Sequence, residues 1–290
     1  MPKAVISIIK GGLGNQLFIY AAARAFALRN GRELFLDTAR GFEKDGYGRS
    51  YRLDHFPITA MQMPEKWRIA PSLKHIRHKG MRVWNKILPR AHRSYLAERR
   101  DLGVEQLTRL TPSKERVTML GYWQDEAYFR DFADNIRQEL SPPTPIDTRN
   151  LDLGSALREE GSVFLHVRRK NYPELLPSSY YQSAIKFHQS KAPNLHFYIF
   201  GDDLDWAMKS LNFHGSPVTT VDWNSENELL DLWLMSRCRH AIIANSSFSW
   251  WGAWLGGDVS EGRLIVAPEN PHWNMRPATG WSSIPYEIRD

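Results

Sequence analysis

The chain has 290 residues, with 42% hydrophobic and 24% charged residues, 19 Gly and 17 Pro. That composition suits a soluble globular protein with a sizeable core and excludes collagen-like and disordered classes. At about 150 residues per domain the length suits two domains, and no apolar stretch reaches the roughly 18 residues of a membrane span or reads as a signal peptide, so a cytoplasmic protein is expected. A single cysteine, Cys238, cannot form an internal disulfide or a thiolate metal site and is expected to be packing.

The opening reads as a β-α-β unit: a β-branched strand from Ala4 to Ile9, a glycine turn, a helix from Leu17 to Leu28, a stop at Asn30-Gly31, and a second strand from Glu33 to Leu36. The turn Gly11-Gly12-Leu13-Gly14-Asn15-Gln16 lets backbone N–H groups and a helix N-terminus approach an anion or a sugar. Gly12 and Gly14 match two glycines of a dinucleotide fingerprint, with Asp37 where a ribose-binding acid would stand, but Leu17 occupies the third glycine position. No Gly-Lys-Ser/Thr follows, which excludes a P-loop. The turn is either a tight β-α connection without a ligand or a ligand loop. In the second case Asn15 and Gln16 place two amides at the helix mouth, suited to hydroxyl recognition.

Residues 65–100 hold eleven Lys and Arg against Glu65 and Glu98, a local excess of nine in a chain whose net charge is +6. Ile76, Val83, Trp84, Ile87 and Leu88 recur there at helix-like spacing between basic residues. The segment reads as a solvated helix face or as a surface that could lie against the inner face of an anionic membrane. No nucleic-acid motif accompanies it, and nucleic acid is not expected as a partner. A strand at Val117 to Leu120 and a helix at Ala127 to Leu140 follow. Ser141-Pro-Pro-Thr-Pro145 then reads as the linker, because its three prolines deny the backbone its donors. The expected domains are 1–145 and 146–290.

After the linker, strands and helices alternate: strand Ser162 to Val167, helix Ser179 to Gln189, strand His196 to Phe200, helix Leu229 to Cys238, strand Ala241 to Ala244, helix Trp250 to Leu255, strand Leu264 to Ala267. This alternation predicts parallel sheets with right-handed crossovers and ligands at the carboxyl ends of the strands. His166-Val167-Arg168-Arg169 closes one such strand, and a guanidinium there can donate two parallel hydrogen bonds to phosphate oxygens at any working pH. The alternative is a pair of surface arginines in salt bridges. Asp203 and Asp205 fit a metal-holding Asp-x-Asp pattern, against the alternative that Asp202 or Asp203 caps a helix starting near Leu204. Asn245-Ser246-Ser247-Phe248-Ser249 opens a helix after a strand, a second place where phosphate could sit on backbone amides. Trp250, Trp251 and Trp254 are expected to pack that helix on the sheet rather than stack on sugar.

Taken together, Gly-Gly-Leu-Gly-Asn-Gln-Leu-Phe at 11–18, His-Val-Arg-Arg at 166–169, Tyr180-Tyr181, Asp231-Leu-Trp-Leu-Met-Ser236 and Asn245-Ser-Ser-Phe-Ser-Trp-Trp-Gly252 resemble the alpha-1,2-fucosyltransferase family from Gly11 to about Pro268. The resemblance implies an α/β fold of the GT-B type, with two Rossmann-like domains facing a cleft and GDP-fucose held mainly by the C-terminal one. It also implies inversion at fucose C1, no metal, and a galactose-containing glycan as acceptor. By the same resemblance Arg168 neutralises the pyrophosphate with His166 beside it, and Arg169 belongs to the donor site, which is also expected to take in Gly12, Gly14, Asn15, Gln16, Asn245, Phe248 and Ser249. Asp231 meets the guanine, and Ser246 and Ser247 contact the pyrophosphate. Two departures stand out: Lys170-Asn171 replaces the family's usual Gly-Asp, and Ile19 replaces a common glutamine. Asn171 cannot act as a base, so the general base is left open between Glu174 and Asp125. Three rivals remain: a metal-dependent glycosyltransferase using Asp203 and Asp205, a Rossmann oxidoreductase weakened by the missing third glycine, and a non-catalytic sugar- or nucleotide-binding protein.

Overall fold

A computed structural model of the protein describes residues 3–68, 87–98, 102–170, 174–259, 262–269 and 275–286. The core of the basic segment, 69–86 with 99–100, and Asn171 lie outside the described residues. The chain divides into two compact units, 1–140 and 141–290.

In the first unit the β-branched run Ala4–Ile8 forms strand β1, buried along its whole length. It runs parallel to β2 (Glu33–Asp37) on one side and to β5 (Arg116–Leu120) on the other. Two short strands, β3 (Met61–Gln62) and β4 (Tyr95–Ala97), occupy the edges and give the order β3-β2-β1-β5-β4. Helix α1 (Leu13–Arg29) starts four residues before the predicted helix, directly on the glycine turn. It is buried on nearly every side, as its alanine-rich sequence allows. A short helix α2 (Val104–Thr108) precedes β5.

The helix expected over 127–140 is instead two 3-10 turns, Glu126–Tyr128 and Arg130–Phe132, followed by α3 (Ala133–Glu139). Phe129, fully buried between the turns, sits at φ −135°, outside helical space. Burying that ring outweighs continuing the helix. At the end of α3 the Glu139 carboxylate accepts from Arg24 at 2.7 Å, from Thr59 at 3.0 Å and from the Tyr20 hydroxyl, tying α3 to α1.

The second unit opens with α4 (Thr148–Ala156), capped by Asp147. A six-stranded parallel sheet follows in the order β11-β10-β9-β6-β7-β8. Its strands are β6 (Ser162–Val167), β7 (His196–Gly201), β8 (Val218–Thr220), β9 (His240–Ile242), β10 (Ile265–Glu269) and β11 (Ser282–Pro285). The helices between them are α5 (Ser178–Lys191), α6 (Leu204–Ser210), α7 (Glu228–Met235) and α8 (Ser247–Leu255). β6 is buried end to end, and one face of it packs Val163, Leu165 and Val167 against Tyr180, Tyr181 and Ile185 of α5. The three tryptophans of α8 are buried against one another, with Trp250 stacked on Trp254 at 6.1 Å, so they serve packing as expected. Cys238 is buried too, and burial pushes its thiol up from the ordinary range. Among the described residues no helix is long and apolar enough to cross a membrane.

The aspartate pair after β7 divides its labour. Asp203 accepts from the Trp206 backbone N–H and caps α6, the role that the sequence offered as the alternative to an Asp-x-Asp metal pattern. Asp203→Ala is expected to lower stability by about 1 kcal/mol, as loss of an N-cap commonly does. Chemical denaturation measures this, and an unchanged midpoint would show that the cap carries no weight.

Candidate functional site

The strand order of the second unit is that of a doubly wound Rossmann sheet. Chain connections leave β6 toward β7 and β8, and leave β9 toward β10 and β11, so the order reverses between β6 and β9. Ligands of such sheets bind outside the carboxyl ends of the two strands flanking that reversal. The residues there are His166-Val167-Arg168-Arg169 after β6 and Asn245-Ser246-Ser247-Phe248 after β9, the same two motifs singled out in the sequence. They touch: the His166 ring packs on Phe248 at 5.9 Å between centroids.

Arg168 donates from Nη1 to Asp202 Oδ2 at 2.7 Å, its side chain 38% exposed at the rim of the strand ends. The other Asp202 oxygen accepts from the Arg169 N–H at 2.7 Å, and Oδ2 also accepts from the Lys170 N–H at 3.2 Å. One carboxylate therefore fixes both the turn after β6 and the guanidinium it presents. Sequence reasoning considered Asp202 only as a helix cap. Its signal was the strand-ending Gly201-Asp202, since Gly201 at φ +138° turns the chain so that Asp202 N–H reaches Val167 O at 3.2 Å.

His166 is 5% exposed, and its Nδ1 has no hydrogen-bond partner among the described residues. Burial, with the Arg168 cation nearby, lowers its pKa to about 3, so near neutral pH the imidazole is uncharged. It can offer a neutral hydrogen bond at the site but not a positive charge.

Arg169 diverges from Arg168, as strand alternation predicts. Its guanidinium lies 4.0 Å from the Trp206 ring, 3.8 Å from Asp203 and donates to Leu176 O at 3.3 Å. Arg169, expected in the donor site, is thus committed to holding the loop ahead of α5.

Ser246 is the N-cap of α8, which sets the first turn of that helix and its positive dipole end at Ser246 and Ser247. Ser249 does not face a ligand as expected. Fully buried, its hydroxyl accepts from Ala244 N–H and donates to Ser246 O, closing the turn. Asn245 donates to Glu174 O at 2.8 Å, lacing the β9 end to the segment after β6. The Glu174 side chain accepts from the Tyr286 hydroxyl at 2.6 Å, which stations a carboxylate next to that lacing.

Asp231 stands in the first turn of α7, on the same carboxyl edge. Burial raises its pKa to about 6, opposed by a hydrogen bond from Asn224 at 3.0 Å. At neutral pH it is ionised and accepts hydrogen bonds.

In the first unit the glycine turn has the expected local form. Gly11 sits at φ +78°, Gly12 is the N-cap of α1, and Gly14 is buried inside the first turn. Asn15 Oδ1 accepts from Gln124 at 2.8 Å. Gln16 departs from expectation: fully buried, it donates to Gly11 O and Ser50 O and accepts from Arg52 N–H. Both its donors and one acceptor lone pair brace the turn, and with the side chain fully buried it is not presented as a ligand amide. Asp37 likewise accepts from the Ala39 and Arg40 N–H groups, capping its own loop in place of a ribose. Asp125 accepts from Ala127 N–H, a turn cap rather than a poised base. Among the described residues no group of three His, Cys, Asp or Glu is placed to hold a metal ion.

Two successive parallel-sheet units of Rossmann type, the second with a guanidinium and a helix N-terminus at its reversal point, define the GT-B class of α/β glycosyltransferase folds. The chain belongs to Glycosyl transferase family 11, whose sequence profile matches residues 4–272. It is 31% identical to an alpha-1,2-colitosyltransferase of Escherichia coli, across 87% of each chain. It is 29% identical to the O-antigen biosynthesis glycosyltransferase WbnK of Escherichia coli, over 90% of this chain and 93% of that one. A mutant of Arabidopsis thaliana FUT1 in complex with GDP shares its fold, with a TM-score of 0.52 at 14% identity, covering 93% of this chain and 72% of that one.

Proposed function

We propose that the protein moves L-fucose from GDP-fucose to a hydroxyl of a glycan acceptor, the 2-hydroxyl of a galactose, by a single inverting displacement that needs no metal. The acceptor oxygen forms a bond to fucose C1 while the bond from C1 to the phosphate oxygen breaks. The hydroxyl proton passes to a base, and GDP leaves with the bonding electrons. The observation that carries this reading is that the Arg168–Asp202 pair and the α8 N-terminus share the carboxyl edge of the sheet at its reversal, joined by the His166–Phe248 contact.

Leaving-group stabilisation dominates such a reaction, and a preorganised cation with backbone donors supplies it without reorganisation. Residues 146–290 bind the donor in this reading, with Arg168 and the amides near Ser246 and Ser247 on the pyrophosphate and Asp231 on the guanine. His166 and Phe248 line the same edge, residues 1–145 face the acceptor, and Gly12, Gly14 and Asn15 of the glycine turn belong to the donor site. Glu174 is the carboxylate best placed to accept the proton, because Tyr286 holds it at the segment following the arginine turn.

The test is turnover of GDP-fucose with a panel of galactose-terminated glycans, with and without EDTA. Fucosylated product and GDP at equal rates in both arms are expected. Failure to release GDP with any acceptor would point to a non-catalytic binding protein, and loss of turnover in EDTA would overturn the metal-free reading. A second reading, transfer of colitose from its nucleotide, is favoured by the 31% identity to an alpha-1,2-colitosyltransferase, and competition between the two donors separates them.

A further inference from the structure

Behind Asp231 runs a chain of buried amides that the donor chemistry above does not use. Asp147 accepts from Asn150 Nδ2 at 3.0 Å on both oxygens, and Asn150 Nδ2 also donates to Asn224 Oδ1 at 3.1 Å. Asn224 Nδ2 donates in return to Asn150 Oδ1 at 3.0 Å and onward to Asp231 Oδ1 at 3.0 Å. Trp223 Nε1 donates to Asn150 Oδ1 at 3.2 Å. Asn150 is 2% exposed and Asn224 4%.

The polarity of this chain has one solution. Asp147, whose pKa its bonds with Asn150 hold below the ordinary value, can only accept. The Trp223 indole can only donate. Those two partners fix which end of the Asn150 amide is oxygen, and the reciprocal pair then fixes Asn224. Rotating Asn224 by half a turn would set its oxygen against both Asn150 Oδ1 and the Asp231 carboxylate. Its NH₂ must therefore face Asp231, where it favours the ionised carboxylate against the burial that disfavours it.

We infer that Asn224, oriented by Asn150 and Asp147, is a specificity-determining positioning residue of the donor site. It holds Asp231 as an aimed hydrogen-bond acceptor, which selects a base edge with adjacent N–H donors, guanine, over one with an acceptor at that place, adenine. The inference rests on the reading of Asp231 as the base contact. A donor-poor neighbour would let Asp231 take up a proton, and a protonated carboxyl tolerates adenine. The charged residues of the segments around Asp231 are Asp147, Arg149 and Asp152 on α4, Asp222 and Glu226 in the loop before α7, and Glu228 on α7 itself, while α8 carries none.

The test is calorimetric binding of GDP, ADP and inorganic pyrophosphate to the wild type and to Asn224→Ala, Asn224→Asp and Asp231→Asn. Asn224→Ala is expected to weaken GDP about tenfold, the worth of a hydrogen bond to a charged group. ADP and pyrophosphate stay unchanged, so the ratio of GDP to ADP affinity falls by the same factor. GDP affinity of the wild type falls as pH drops through about 6, where Asp231 takes up its proton, and in the variant that midpoint moves to higher pH. Asn224→Asp sets an oxygen against Asn150 Oδ1 and Asp231 and is expected to act in the same direction more strongly; should neither variant fold, loss of wild-type GDP affinity through about pH 6 with ADP affinity unchanged carries the test. Equal weakening of all three probes, or an unchanged GDP-to-ADP ratio with Asp231→Asn still discriminating poorly, would overturn the role of Asn224 and leave the donor reading intact. If Asp231→Asn itself keeps the preference for GDP, the base contact lies elsewhere and both fall.

Discussion

Arg168→Ala is expected to lower transfer from GDP-fucose by about a hundredfold or more while the Tm stays within about 2 °C of the wild type. The two halves of that expectation have separate causes. Removing one charge-assisted contact to a departing group commonly costs on the order of 3 kcal/mol of transition-state stabilisation, about a factor of a hundred in rate. Stability depends little on the guanidinium, because its ion pair with Asp202 is partly exposed, and pairs of that kind contribute from zero to about 1 kcal/mol. The turn after β6 survives, since Asp202 still accepts from the Arg169 and Lys170 N–H groups. Arg168→Lys keeps the charge but loses the planar fork and is expected to fall between the two. Steady-state kinetics with a thermal melt of each variant read both quantities. Wild-type turnover in Arg168→Ala would remove the leaving-group role from this residue.

Much of this site was legible before any coordinates. The apolar Val163-Phe164-Leu165 within Ser162–Val167 declared a strand that ends in His166-Val167-Arg168-Arg169. The repeated strand-to-helix spacing predicted a parallel sheet whose carboxyl edge collects Arg168 and Ser246. What stayed hidden depends on partners distant in sequence or on backbone geometry. Gln16 looked like a helix-mouth amide because nothing local reveals that Ser50 and Arg52 fold back to hold and bury it. Ser249 looked like one more hydroxyl in a polar turn, yet one helical turn returns it to Ala244 N–H. The reciprocal amides Asn150 and Asn224 are 74 residues apart and carry no local signature. The adjacent carboxylates Asp202 and Asp203 differ in role only because the backbone at Gly201 turns one toward β6 and leaves the other at the mouth of α6.

That same glycine carries the largest expected structural effect. At φ +138° Gly201 occupies backbone space that side chains rarely enter, and a Cβ there would stand 2.0 Å from Val167 O and 2.8 Å from Val167 C. Both obstructing atoms are backbone at the end of β6, a strand buried along its whole length, so neither can swing aside as a flexible side chain would. Relief requires the ends of β6 and β7 to separate where Val167 pairs with Gly201. Strain in φ and overpacking each cost about 1 to 3 kcal/mol, so Gly201→Ala is expected to destabilise by about 3 kcal/mol or more. For domains of this size that corresponds to a Tm lower by roughly 6 to 12 °C. Activity should fall further than the folded fraction accounts for, because Asp202 follows Gly201 directly and its displacement releases the Arg168 guanidinium. Transfer rates measured well below the new Tm, where the variant is fully folded, separate the two effects. A variant that melts lower yet turns over at the wild-type rate would show that Asp202 need not hold Arg168 for the reaction to proceed.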